Sequence, residues 1–193
     1  MSDNDYGVLD YIPVIGDIYR YGKLGYKIGS WLANNVDDYN NRVICEMVEI
    51  INQAANSNNA LEALAYLHKA IEKLHEFDSD NCKKYQIALL YYLGARIYHV
   101  LALCECIIHR DELKELKQVS STFSGAKKFC RKVWSVDKTL LTKNRSMIDQ
   151  IRSAADEKKK EISDSRKKWR KQYRHLYKIT YPVRWYMGMW MFA

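Results

Sequence analysis

The chain has 193 residues, enough for one domain with a sizeable core, and 48% of them are apolar. Its two prolines, Pro13 and Pro182, lie near the ends, which favours long helices, and no sustained alternation of apolar and polar residues supports a sheet. The net charge of +8 traces to residues 166–184, whose eight basic residues (Arg166, Lys167, Lys168, Arg170, Lys171, Arg174, Lys178, Arg184) have no acidic residue among them, while the other 23 basic residues match 23 acidic ones.

Residues 1–12 read as irregular. Their start, MSDNDYGVLD, lacks the basic opening and apolar run of a secretory signal. Five cysteines, an odd number set mainly in apolar helical patterns, read as reduced core residues, and a cytoplasmic location follows. Pro13 is placed to open the first helix. Over 17–35 a helical wheel puts Leu24, Ile28, Trp31 and Leu32 on one face and Gly22, Gly25, Gly29 and Ala33 beside it, with Arg20, Lys23 and Lys27 pointing away. Each interior glycine costs ~1 kcal/mol relative to alanine, so the groove predicts a close helix partner, or membrane-surface binding and oligomerisation.

Asp37 or Asp38 can cap a second helix with the stripe Val43, Met47, Ile50 and Ala54, ending in Asn56-Ser57-Asn58-Asn59. A third carries Leu61, Leu64, Ala65, Ile71 and Leu74 to near Phe77, where Asp78-Ser79-Asp80 supplies a break and a new cap. From Gln86 to Ile108 the chain is apolar all round, with Arg96 and Glu105 its only formal charges. Such a helix is a bundle centre or a membrane span. An arginine near the midpoint costs ~2.5–3.5 kcal/mol on insertion, which favours the bundle centre.

Asp111 can cap a fifth helix with the stripe Leu113, Leu116, Val119, Phe123, Ala126, Cys130 and Val133, and Ser120 to Gly125 is weak enough for a bend. Asp137 caps a last helix that runs to Thr180. Its stripe, Ile148, Ile151, Ala155, Lys158, Ile162, Ser165 and Trp169, has a weak seam at Lys158 and Ser165, so its middle is expected in water or along the bundle edge. No repeat of 20 to 50 residues recurs. The fold class is all-α: a bundle of about six helices over 13–181, with a long basic C-terminal helix and an aromatic, Met-rich tail over 182–193.

Chemistry is sparse. Glu72-Lys-Leu-His75 is half of a bundle di-metal site, but no second Glu-x-x-His exists to complete it; Glu46 and the Glu105/His109 pair are the available recruits. Cys104-x-Cys106-x-x-His109 does not converge on one helix face. There is no Gly-x-Ser-x-Gly elbow and no phosphate-cradling glycine loop. We therefore expect no enzyme activity, cofactor, metal or small-molecule substrate. Arg96 should need a carboxylate or helix-end carbonyls, and His99 reads as a hydrogen-bonded core histidine.

The C-terminal segment carries the functional expectation. Trp169, Tyr173, Leu176 and Tyr177 fall on one side of a helix; Lys167, Arg170, Lys171, Arg174 and Lys178 fall on the other. An anionic lipid surface, bound through Lys167, Lys168, Arg170, Lys171, Arg174, Lys178 and Arg184 and anchored by Trp185, Tyr186, Trp190 and Phe192, is the expected partner. Three alternatives stand beside it. The tail can fold back into the core and leave a solvated basic face. Trp169, Tyr173 or Trp185 can stack on RNA or single-stranded nucleic acid. The bundle can also serve as a protein-protein scaffold.

Overall fold

The computed structural model describes residue 35 and residues 37–109, 116–136 and 145–180. The first predicted helix with Gly22, Gly25 and Gly29, the caps Asp111 and Asp137, and the tail with Arg184, Trp185, Tyr186, Trp190 and Phe192 lie outside these residues, as does the side chain of Lys178. Every regular element among the described residues is an α-helix: α1 (Tyr39–Asn56), α2 (Ala60–Leu74), α3 (Lys84–Ile108), α4 (Leu116–Ser135) and α5 (Arg145–Thr180).

α1 begins where Asp38 accepts from the Asn41 backbone N–H at 3.2 Å, and it buries Val43, Ile44, Met47, Ile51 and Ala54, with Ile50 only half-buried. Asn59 then caps α2 through the Leu61 N–H at 2.9 Å. Of the stripe expected for α2, only Leu64 packs against the core, and the rest is corrected. Leu61 is 67% exposed, Ile71 and Leu74 are also exposed, and the buried positions are Ala60, Ala63, Leu67 and Ala70. These recur at three and four, and their short side chains admit the close approach of a neighbour: Ala60 and Ala63 pack with Cys104, Val100 and Ile107 of α3.

α3 is long and apolar enough to cross a membrane by length and composition. Here it packs against all four other helices, with Ala88, Leu89, Leu93, Ala95 and Ala102 fully enclosed. Burial pushes the Cys104 and Cys130 thiols up to about 11 and Cys106 to about 12, so these are inert core residues. Arg96 does not meet a carboxylate: it is half-buried, and its Nη2 donates to Asn52 Oδ1 of α1 at 2.8 Å. An amide oxygen suffices because the guanidinium keeps contact with water.

The start of α3 is fastened to the start of α1 by buried amides. Asn41 Oδ1 accepts from Tyr85 Oη at 3.1 Å and Gln86 Nε2 at 2.8 Å, and Gln86 Nε2 also reaches Asp38. Burial raises the Asp38 carboxyl, but Lys83, Gln86 and the Asn41 N–H outweigh it and hold the group below its usual range.

The α4 helix runs unbroken through Ser120–Gly125, where Thr122 and Ser124 hydroxyls donate to the carbonyls of Gln118 and Ser120. Of the two settings expected for the middle of α5, the bundle edge is the one seen: Ile148, Ile151, Ala155, Lys158 and Ile162 are buried, Trp169 packs on the core, and the opposite face is exposed.

Candidate anionic-surface interface

The rotational setting of α5 decides which of its charges reach solvent, and a series of contacts along its length fixes that setting. Arg152 donates to the carbonyls of Trp134 at 3.1 Å and Val136 at 2.6 Å, satisfying backbone acceptors at the C-terminal end of α4, and lies 5.0 Å over the Trp134 ring. Trp134 Nε1 donates to Asp156 at 3.0 Å. One and a half turns on, Lys158 pairs with Glu161 at 2.5 Å beneath the surface.

His99 of α3 completes this seam. Its Nε2 lies 3.1 Å from Ser165 Oγ and its Nδ1 3.5 Å from Glu161 Oε1. The neutral tautomer protonated on Nδ1 satisfies both neighbours, with the Ser165 hydroxyl donating to Nε2. Burial, seconded by the Lys158 charge, lowers the imidazole to about 3, so it stays neutral at physiological pH. His99 is thus a core histidine. Ser165 breaks the hydrophobic seam because it meets this polar group, and Lys158 because it pairs with Glu161 beside it.

Near the C-terminal end of the contact, Trp169 packs against Phe123 with ring centroids 6.0 Å apart, and Tyr173 stacks on Trp169 at 6.2 Å. With these aromatic residues turned toward the bundle, Lys167, Lys168, Arg170, Lys171 and Arg174 are exposed. Lys167 reaches Asp164 at 3.4 Å, an exposed pair of little energetic weight.

A second row of charge faces α4. Lys159, Arg166 and Arg170, at intervals of seven and four, share a flank of α5 about 90° from its core stripe. Ser120, Lys127 and Arg131 share the matching flank of α4. Arg166 joins the two by donating from Nη2 to Ser120 Oγ at 2.7 Å, while its Nε is buried without an acceptor. Burial, then Arg166, Arg131, Arg170 and Lys159, lower the proton affinity of Lys127. No carboxylate among the described residues pairs with any of these five cations.

Lys127, Arg131 and Lys159 were not among the expected binding residues, and Arg166 was counted only in the basic segment. Their signal was present helix by helix. α4 holds five basic and no acidic residues, and α5 twelve and five, whereas α1, α2 and α3 together are balanced. Among the metal-ligand candidates, Glu72 lies 3.4 Å from exposed His68, and Glu46 pairs with Lys73 at 2.6 Å. Comparison of the chain with protein-family models, curated proteins and solved structures gives no match.

Proposed function

We propose that this is a non-enzymatic, cytoplasmic interaction protein that docks on an anionic membrane surface. The six-helix bundle, completed by a helix over 17–35, presents its long basic C-terminal helix, and the tail residues Trp185, Tyr186, Trp190 and Phe192 anchor it at headgroup level. The observation that supports this reading is the exposure of Lys167, Lys171 and Arg174 on the side of α5 opposite its core contacts and of Lys168 and Arg170 on its flanks. Each such residue near an anionic bilayer contributes about 1 kcal/mol.

Nucleic acid is the second reading, and one feature disfavours it. Single-strand binding uses aromatic rings as stacking platforms. Trp169 and Tyr173 stack on each other, and Trp169 also packs on Phe123.

Changing Lys167, Arg170, Lys171 and Arg174 together to glutamine should leave thermal unfolding cooperative, since none of these side chains enters the core. Co-sedimentation with phosphatidylserine vesicles should fall, and the residual binding should depend less on salt. Absence of wild-type binding at low salt, or loss of RNA binding in place of vesicle binding, would overturn the membrane reading.

A further inference from the structure

We propose that the basic flank where α4 meets α5, formed by Lys127 and Arg131 on one helix and Lys159, Arg166 and Arg170 on the other, binds the phosphomonoester headgroup of a membrane lipid. This rests on the membrane reading and narrows it from a charged surface to a site.

The outer stripe of α5, with Lys167, Lys171 and Arg174, is a row of exposed charges that meets any anionic bilayer alike. The flank is different. Five cations from two helices share it with no carboxylate partner among the described residues, and those around Lys127 repel its charge. Arg166 ties the two helices by donating from Nη2 to Ser120, while its Nε is buried without an acceptor. A buried donor without an acceptor is uncommon and calls for an explanation.

An anion on this flank offsets the repulsion and brings acceptors to the basic side chains there. A terminal phosphate has three free oxygens and a charge of about −1.5 to −2, so it can take a guanidinium fork and a lysine together. The phosphodiester of phosphatidylserine has fewer free phosphate oxygens and a single phosphate charge, and its carboxylate is offset by its own ammonium. Burial and the neighbouring cations lower the proton affinity of Lys127, and a dianion beside its ammonium would raise it again. The flank therefore predicts selectivity at equal surface charge, which a diffuse basic face lacks.

The full chain is titrated with phosphatidylcholine vesicles containing either phosphatidic acid or phosphatidylserine, matched for zeta potential. The expected result is about tenfold tighter binding to phosphatidic acid, the equivalent of one added charge-assisted hydrogen bond. Lys127→Gln with Arg131→Gln should abolish this preference while leaving phosphatidylserine binding largely intact. Lys167→Gln with Lys171→Gln and Arg174→Gln should weaken both lipids and preserve their ratio. Arg166→Lys, which keeps the charge and removes the fork, should reduce the preference without unfolding the protein.

Equal binding to the two vesicles, or a preference that survives Lys127→Gln with Arg131→Gln, overturns this site and leaves the membrane reading standing. Binding to neither vesicle overturns both. Displacement from vesicles by glycerol 3-phosphate at the concentration of accessible phosphatidic acid would show that the flank takes a soluble phosphate, and the lipid assignment would fall.

Discussion

At the scale of single residues, two glycines set how α3 and α4 meet. A Cβ on Gly94 would lie 2.9 Å from Phe129 Cδ1, and one on Gly125 would lie 2.9 Å from Tyr98 Cδ1. The two rings are themselves 5.2 Å apart between centroids, so an aromatic pair is lodged between glycines on facing helices. In a free helix, Gly94→Ala would stabilise by about 1 kcal/mol. Here it must displace a ring, and overpacking of this kind costs about 1–3 kcal/mol. Gly94→Ala should therefore lower stability by up to about 2 kcal/mol, by the difference of these two effects. The sign should reverse when the ring is gone: in a Phe129→Ala background the same change should stabilise, as read by urea denaturation of all four proteins. A penalty that persists without Phe129 would mean that the ring contact is not its cause.

Between elements, the contact of α3 with α5 turns on a neutral histidine in a charged setting. His99 faces Lys158, Glu161 and Ser165 from α5 and the Phe123 ring from α4, 6.3 Å away. Its folded pKa is about 3, whereas an unfolded histidine titrates near ~6.5. The unfolded chain therefore binds more protons between these values. Stability should be fully present above about pH 6.5 and fall by about 1.4 kcal/mol per pH unit below it. Asp38, also held below its usual range, adds its loss only at lower pH, around and below about 4. Denaturation midpoints measured from pH 7 to pH 4.5 should show this slope in the wild type and a much flatter one in His99→Gln. A common slope in both proteins would mean that other groups titrate. This seam also marks the limit of what the sequence made legible. The enclosing of α3, the cap at Asp38, the buried stripe of α4 and the positions of the α5 stripe through Trp169 were all readable from periodicity. Lys158 and Ser165 were misjudged because hydrophobicity alone ranks such positions as solvent-facing, whereas Lys158 pairs with Glu161 and Ser165 meets His99, 66 residues away. The face of α2 was misread for a related reason: large leucines outweighed the regular alanines that close packing selects. The basic flank of α4 and α5 is legible only when charge is counted helix by helix rather than along the chain.

For the whole molecule, the charge has a direction. α4 and α5 together carry a net charge of +12, from seventeen basic and five acidic residues, on helices that pack against each other and against α3. The remaining described helices carry none, so the repulsion is concentrated rather than averaged over the surface. Self-repulsion of this kind opposes the compact state and is weakened by screening. Raising the salt from about 0.1 M to about 1 M shortens the screening length from ~10 Å to ~3 Å. That weakens the repulsion between Lys127 and the four other cations around it, but leaves the direct Lys158–Glu161 contact at 2.5 Å far less affected. The wild type should therefore gain stability with sodium chloride, by about 2–4 °C in melting temperature if about 1 kcal/mol of repulsion is screened. Lys127→Gln with Arg131→Gln should melt higher than the wild type at low salt and gain less from added salt, because two of the crowded charges are already gone. A wild type that loses stability with salt would show that exposed attractive pairs such as Lys83–Asp38 outweigh the crowding, and the flank of α4 and α5 would then carry too little repulsion for an anion to relieve.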